Sequence, residues 1–394
     1  MTKCSKTGCF WHAENSKNFH AEGKRLYLSA IATLTGTIIG AGILGIPYVI
    51  AKSGFWAGML NILILGALIL FVNLYLGEII LRTKGRHQLP GYAEKYLGKK
   101  GKILMVISSL IFLYGALTAY VLGEGEVLSF VFLGSTQFTL LFGLIFFIIM
   151  AVLVYFGLKT LERCEPIGLG IVSAIILLIF FFFLPKINWH NFSFMSSNPI
   201  NWFMPYGVIL FAFLALSALP EMREELAKNE RMLKKAIIIG SVIPIILYIL
   251  FTIAVYGFAG QATPEIATTA LGKLPSALAI FTMFTAFFAL GIALKEVFMF
   301  DFKIKHDKAF LLAMAPVLVL SLLIIIFNLL DFIKIISLIG SVAGGLAGIL
   351  ILLMLRKAKK EGERKPEYSI PLNWSLIIIL AIIFVAGIVY QFVF

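Results

Sequence analysis

The stretch GTIIGAGILGIPYVI, residues 36–50, is as apolar as a membrane-spanning helix, yet it is rich in helix-breaking residues. Four glycines and then Pro47 fall within twelve positions. In a helix interior a glycine costs about 1 kcal/mol relative to alanine, and a proline about 3 kcal/mol. Lipid offers no hydrogen-bonding partners, so backbone that unwinds at membrane depth must be buried in protein or line a cavity. The sequence therefore predicts a helix that unwinds around residues 35–42 beside a cavity.

The composition of the chain indicates an all-α integral membrane protein. Of its 394 residues, 60% are hydrophobic and 13% are charged, whereas soluble domains are about 25% charged. A hydrocarbon core of about 30 Å is crossed by about 20 apolar residues. We therefore predict eleven spans, numbered 1 to 11 in chain order: 26–50, 55–81, 103–133, 138–158, 164–184, 203–220, 234–259, 275–300, 309–329, 332–355 and 373–393.

The lysines and arginines predict the orientation of these spans. Of the 33, 28 lie in the first 25 residues or in the loops that follow even-numbered spans, and only four lie in the other loops. Because basic residues collect in cytoplasmic loops, we predict a cytoplasmic N-terminus and an extracellular C-terminus at the cell membrane. The net charge of +13 then comes from a face that favours anionic lipid and requires no nucleic acid as a partner.

Residues 1–25 are predicted to form a cytoplasmic tail without a metal site. The tail contains Cys4, Cys9, His12 and His20. Their spacing matches no tight zinc pattern, so we expect no metal and no cofactor.

A second interrupted span lies five spans after the first. Span 6 is short, is bounded by Pro205 and Pro220, and has small residues in its middle. Two interrupted spans at corresponding positions of two halves are typical of inverted-repeat transporters with a site at the midplane. We therefore predict a first repeat over 26–184, a second over 203–355, and span 11 (373–393) as an addition.

The predicted breaks suit one class of small molecule. The helix that restarts after the break in span 1 begins with free N–H groups and a partial positive charge, which favour a carboxylate. Free carbonyl groups in span 6 and at the end of the first half-helix favour an ammonium group or a small cation. Together these groups predict an α-amino acid as the ligand.

Four segments carry a resemblance to a known family. The stretch GTIIGAGILGIPYVIAKSGF (36–55) resembles the first-span motif of the amino acid/auxin permease family, G-T-x-I-G-A-G-[IM]-L-x-[IL]-P. That family belongs to the amino acid-polyamine-organocation superfamily, and the resemblance extends to its aromatic amino-acid permease and neutral amino-acid transporter branches. Segments 89–102, 211–221 and 287–302 are similar to the family's loop between spans 2 and 3, its sixth span and its eighth span. The resemblance implies a LeuT-type 5+5 inverted repeat with broken helices 1 and 6, and secondary active transport of amino acids.

The resemblance also implies the substrate-binding residues. In span 1 the substrate's carboxylate and amine are expected at the backbone of Thr37, Ile38, Gly40, Ala41 and Gly42. In span 6, carbonyl groups and an aromatic wall are expected from Phe211, Ala212 and Phe213. Tyr120 lies about 17 residues into span 3, near mid-membrane at 1.5 Å per residue. No charged residue falls within 30–51 or 203–220, so we expect a neutral substrate, including aromatic or small apolar ones.

The coupling ion is left open between a proton and sodium. Sodium-coupled relatives carry a side-chain amide where this chain has Gly36, and their span 8 hydroxyl positions align with Phe287 and Phe288, although Thr285 is close by. The resemblance therefore favours protons. A proton-coupled transporter needs an ionisable group in the membrane, and we predict Glu124, one turn beyond Tyr120, for this role.

Other ionisable residues of the predicted spans are weaker candidates for coupling. Glu126 cannot share a helix face with Glu124, because the two are only two positions apart. Lys295 is expected at the inner interface, where its amine reaches water. Glu78, near the inner end of span 2, is the remaining candidate.

Other classes of protein fit the sequence less well. A non-transporting amino-acid sensor would need a structured cytoplasmic extension, and a channel would need polar rings rather than paired breaks. No catalytic cluster falls within the spans and no phosphate-binding G-x-x-x-x-G-K-[ST] motif occurs. We therefore expect neither an enzyme nor an ATP-driven pump, and the oligomeric state is left open.

Overall fold

The computed structural model describes residues 23–157, 165–227, 229–371 and 373–393. Within these ranges it is built from helices, ten of which are long and apolar enough to cross a membrane, and a bent pair forms one further span. The prediction of eleven spans in an all-α membrane protein is thereby confirmed. The cysteines and histidines of the predicted tail, at positions 4, 9, 12 and 20, lie outside the described residues.

Within the described residues, fourteen α-helices form the spans. In chain order these are α1 (Gly23–Ile38), α2 (Gly42–Ser53), α3 (Phe55–Arg82), α4 (Leu89–Leu133), α5 (Thr139–Phe156), α6 (Glu165–Phe183), α7 (Pro205–Phe213), α8 (Ala218–Glu225), α9 (Leu233–Ala259), α10 (Ser276–Glu296), α11 (His306–Phe327), α12 (Phe332–Ile339), α13 (Gly345–Glu361) and α14 (Trp374–Val393). Helices α1 and α2 form span 1, α7 and α8 form span 6, and a π-helical turn (Gly340–Gly344) joins α12 to α13 in span 10.

Span 1 is broken, but the break is shorter than predicted. Only residues 39–41 are non-helical, and α1 and α2 meet at an angle of 49°. The first half-helix persists because its backbone bonding continues to the break, where the N–H of Ile39 donates to the carbonyl of Thr35. The expectation that unwinding begins near Thr35 was therefore wrong by about one helical turn.

Span 6 is broken over residues 214–217. The prediction that Pro220 bounds this span was wrong, because α8 continues to Glu225. Pro220 lies in the first turn of α8, where the absence of its N–H removes no helical hydrogen bond. The two broken spans are the first and the sixth in chain order, as predicted.

The loop predicted between spans 2 and 3 contains helix. Helix α4 begins at Leu89, with a proline in its first turn, and changes direction at Gly98, whose φ of 74° is a conformation that favours glycine. Beyond this kink α4 packs against α5, α10, α11 and α13, while α3 packs against α7, α9 and α13. The broken spans lie between these groups, with α2 against α7 and α9.

Residues 362–371, which we call the strap, run between α13 and α14 across the ends of other helices. Glu363 of the strap pairs with Lys95 at the start of α4, and Arg364 pairs with Glu230 just before α9. The hydrogen bond from Lys95 lowers the pKa of Glu363. The strap therefore joins the starts of α4 and α9 through ion pairs.

Glu78 of α3 is the buried anchor of this region. Its carboxylate is fully buried and accepts hydrogen bonds from Arg82 Nε and from Lys359 Nζ, both at 2.9 Å. In the strap, the Ser369 hydroxyl and the Ile370 N–H donate to the same carboxylate at 2.8 Å. Glu78 thus has a structural ion-pairing role, which removes the main reason to consider it for coupling.

The substitution Glu78→Ala is expected to destabilise the protein by about 1–3 kcal/mol, because it removes the carboxylate that two partly buried cationic side chains and the strap share. Thermal unfolding in detergent micelles measures the effect. The matched control is Glu94→Ala, which removes the solvent-exposed partner of Lys102 and is expected to change stability little. Equal melting temperatures for the two variants would contradict the anchoring role of Glu78.

Candidate functional site

The breaks of spans 1 and 6 are in direct contact. A Cβ atom added at Gly42 would lie 2.6 Å from Cα of Ala212, a separation that real Cβ atoms essentially never show. Only glycine at position 42 therefore allows the two spans to approach this closely. The contact brings together two of the residues that the sequence predicted for one site.

The helix that restarts after the first break begins without a side-chain cap. Its N-cap residue is Ala41, whose methyl side chain cannot cap the first N–H groups of the helix. The first N–H groups of any helix also lack partners within that helix. The amide of Leu44 donates to the carbonyl of Ala41. The first turn of α2 thus offers backbone donors at a buried point of the fold, with the partial positive charge of a helix N-terminus.

The other side of the first break, at Gly40, has room for a small group. An added Cβ at Gly40 would lie 3.6 Å from the hydroxyl oxygen of Tyr120 and 3.8 Å from Cβ of Ala286. Gly36, Thr37 and Gly40 are only partly buried. The structure therefore brings Tyr120 of α4 to the break in span 1, on a side where small groups fit.

The two phenylalanines at the end of α7 lie in different directions. The ring of Phe211 packs against Phe112 of span 3, with centroids 5.6 Å apart. The ring of Phe213 packs against Tyr248 of span 7 at 5.1 Å and lies near Gly66 of span 2. Residues two positions apart on a helix do not share a face, so the pair does not form one continuous aromatic wall.

Tyr248 is a residue of this region that the sequence reasoning missed. Its hydroxyl lies 2.7 Å from the carbonyl oxygen of Ile38 and 2.9 Å from that of Ala212. In the sequence, the signal for this residue was a tyrosine in the middle of an apolar span. A buried tyrosine hydroxyl needs a hydrogen-bonding partner.

Glu124 is buried without a complete set of partners. Its side chain is 1% exposed, and no hydrogen-bonding partner for its Oε2 atom is found among the described residues. Glu126 instead lines a cavity of about 600 Å³ beside the last turns of α4, together with Glu265 and Asp331. The two glutamates therefore lie on different faces of α4, in agreement with their spacing.

Glu265, which lies on a loop, is one of the three acidic residues that line this cavity. Burial raises the pKa of the Glu265 carboxyl, and the nearby Asp331 raises it further. The Oε2 atom of Glu265 also accepts a hydrogen bond from the N–H of Ile333. This acidic cavity lies away from the breaks themselves.

The candidate sodium ligands of span 8 bond within their own helix. Thr285 donates to the carbonyl of Phe281 at 2.9 Å, and Phe287 is buried against Phe146. Gly36 lies inside α1 and has no side chain to offer. Across the described ranges, no group of three histidine, cysteine, aspartate or glutamate residues is placed to hold a metal ion.

The expectation that the amine of Lys295 reaches water was wrong. Lys295 is 6% exposed, and its Nζ donates to the carbonyl oxygens of Val154 and Tyr155 at the end of α5. The last carbonyls of a helix lack partners within that helix, and a lysine side chain can satisfy them. Lys295 thus closes the end of α5.

Eleven spans, of which the first and the sixth are broken and touch at their breaks, have the arrangement of the LeuT-type fold. The fold agrees with the structure of MhsT in complex with L-phenylalanine at a TM-score of 0.68, with 17% identity, covering 92% of this chain and 98% of that one. The chain belongs to the tryptophan/tyrosine permease family, whose model matches residues 24–393. This confirms the resemblance to the aromatic amino-acid permeases.

Two curated relatives are similar over more than half of the chain. Tyrosine-specific transport system 1 of Haemophilus influenzae is 26% identical over 290 residues, which cover 67% of this chain and 70% of that protein. Glutamine transporter 2 of Aliivibrio fischeri is 26% identical over 239 residues, which cover 59% of this chain and 61% of that protein. The family and these relatives are transporters and not enzymes, so the protein is a multi-pass membrane protein of a transport family.

Proposed function

We propose that the protein is a secondary active transporter of neutral amino acids that works by alternating access in the plasma membrane. The observation that carries the proposal is the meeting of the two helix breaks beside Tyr120. The uncapped first turn of α2 would bind the substrate's carboxylate, and carbonyl groups of the broken spans would bind its ammonium group. The distribution of lysine and arginine supports a cytoplasmic N-terminus and an extracellular C-terminus.

A neutral side chain suits the surroundings of the breaks. The segments that form both breaks carry no charged residue over 30–51 and 203–220, so nothing there would pair with a charged substrate side chain. The relatives named above for tyrosine and glutamine suggest the size range to test. Phe211 and Phe112 provide an aromatic surface at the end of α7.

A proton is the coupling ion that the side chains favour. Glu124 is the intramembrane carboxyl whose Oε2 atom has no partner among the described residues, and it lies one turn beyond Tyr120 on the same face of α4. An ionised carboxylate there would be an uncompensated buried charge, which is costly. Sodium is the alternative, and it would have to use backbone carbonyls near Gly36 with the hydroxyl of Thr285, which already donates within α10.

Uptake by purified protein in liposomes tests the function. Radiolabelled tyrosine, tryptophan, phenylalanine and glutamine are offered under an imposed pH gradient and then under an imposed sodium gradient, with glutamate and lysine as charged controls. We expect uptake of at least one neutral amino acid, accumulation under the pH gradient, and no uptake of the charged pair. Empty liposomes and the Gly42→Ala variant serve as negative controls.

Two outcomes contradict separate parts of the proposal. If correctly folded protein takes up none of the twenty standard amino acids, the transport function is wrong. If accumulation follows the sodium gradient alone, the assignment of the proton is wrong and the transport function stands.

A further inference from the structure

Tyr248 connects the two helix breaks through a single hydroxyl. Helix α9 passes behind both broken spans, and the side chain of Tyr248 is fully buried there. Its hydroxyl oxygen lies 2.7 Å from the carbonyl oxygen of Ile38 and 2.9 Å from that of Ala212. Ile38 ends α1, and Ala212 is the second-last residue of α7, so both carbonyls belong to the breaks.

Two carbonyl oxygens that converge on one point need a positively polarised group between them. Carbonyls at a helix C-terminus lack partners within the helix and carry partial negative charge, so they repel each other. A bound cation, a substrate ammonium group or a hydroxyl hydrogen can satisfy them. The N–H of Gly40 donates to the Ile38 carbonyl from within the break. The hydroxyl of Tyr248 fills the position between the two carbonyl oxygens and donates its one hydrogen there.

The tyrosine ring is held so that the hydroxyl stays in place. Its contact with Phe213, at a centroid separation of 5.1 Å, links Tyr248 to the same helix that carries Ala212. The direct contact of Gly42 with Ala212 holds the two broken spans together at a second point. The side of the first break at Gly40 and Tyr120 leaves room for a small group.

We propose that Tyr248 is a positioning residue that fixes the separation of the two breaks and occupies the place between the Ile38 and Ala212 carbonyls that a cation would otherwise take. The inference rests on the proposed function and deepens it. The substrate's ammonium group then binds on the side of Gly40 and Tyr120, and affinity for the common amino-acid backbone depends on Tyr248 whatever the substrate side chain.

The test compares Tyr248→Phe with Tyr256→Phe. Tyr256 lies on the same helix, is equally buried, and donates its hydroxyl to the carbonyl of Asn191 at 3.0 Å, away from the breaks. Both variants remove one buried hydroxyl and keep the ring. The dissociation constants of two substrates with different side chains, and the melting temperature, are measured for each variant in detergent.

We expect Tyr248→Phe to raise both dissociation constants by a similar factor of about ten or more, because it removes the one hydroxyl hydrogen that the buried carbonyls of the two breaks share. Tyr256→Phe is expected to change them less than about twofold, with a similar shift in melting temperature. Equal losses of affinity in the two variants would overturn the proposal, as would a loss in Tyr248→Phe that affects one substrate only.

A second measurement needs no substrate. Amide hydrogen exchange over residues 36–44 and 211–218 is expected to be faster in Tyr248→Phe than in the unaltered protein, and unchanged in Tyr256→Phe. Unchanged exchange at both breaks in Tyr248→Phe would refute the positioning role. If the unaltered protein binds no amino acid, the proposed function fails, and hydrogen exchange still decides whether Tyr248 joins the breaks.

Discussion

Replacing Glu124 with glutamine is expected to abolish accumulation driven by a pH gradient while leaving exchange of amino acid across the membrane. Glutamine keeps the shape of the side chain but stays neutral, so it cannot load or release a proton. With one proton per substrate, a gradient of one pH unit supports about tenfold accumulation, because a factor of ten in concentration corresponds to about 1.4 kcal/mol. The variant is expected to show no accumulation at all under the same gradient.

Two measurements on liposomes separate driven uptake from exchange. Steady-state accumulation is measured under an imposed pH gradient, and counterflow of labelled substrate is measured without a gradient. Glu126→Gln is the matched control, because Glu126 lies two positions away on another face and lines the acidic cavity. It is expected to accumulate substrate nearly as well as the unaltered protein. Accumulation by Glu124→Gln under a proton gradient would falsify the assignment of Glu124 and show that another group carries the proton.

A valine at position 40 is expected to abolish substrate binding without a large loss of stability. An added Cβ there makes only ordinary contacts, 3.6 Å from the Tyr120 hydroxyl and 3.8 Å from Ala286, so the fold can accept it. The two further methyl groups of valine would fill the space where the substrate's backbone is proposed to lie. We expect the dissociation constant to rise by about a hundredfold or more, at a melting temperature close to that of the unaltered protein.

An alanine at position 42 is expected to act differently. Its Cβ would lie 2.6 Å from Cα of Ala212, and backbone atoms cannot yield as a flexible side chain can. Overpacking of this kind costs about 1–3 kcal/mol, so Gly42→Ala should lose stability together with binding. Titration calorimetry and thermal unfolding of both variants test the distinction. Unimpaired binding in Gly40→Val would show that the substrate does not occupy the side of the break that faces Tyr120.

The sequence predicted the features that depend on local chemistry. The cost of glycine in a helix located the break in span 1, because glycine disfavours helix whatever surrounds it. The break in span 6, over residues 214–217, contains neither glycine nor proline, and only the small residues in the middle of that span indicated it. The spacing of Glu124 and Glu126 predicted different faces, because helix geometry alone fixes that relation. The extent of the first break was overestimated, since Thr35 to Ile38 keep their helical backbone bonds.

The features that were missed depend on contacts between distant segments. Tyr248 meets Ile38 across 210 positions of sequence, and no local pattern states which carbonyls a mid-span tyrosine will reach. Lys295 was expected in water because it lies near a helix end, but the unpaired carbonyls at the end of α5 are close enough to bind it. The helix that begins at Leu89 was read as loop, since its charged residues resemble a connecting segment.

The strap also sets an order of events during synthesis of the chain. Glu78 is made early, but its partner Lys359 follows 281 positions later, which at about 5–20 residues per second is a delay of roughly 14–56 s. During that time Arg82, one helical turn away, is the cation already at hand for this carboxylate. Span 2 therefore cannot reach its final buried environment until the last tenth of the polypeptide has been made. A chain that stops before the strap has Arg82 as a cation for the Glu78 carboxylate but lacks the Ser369 hydroxyl and the Ile370 N–H.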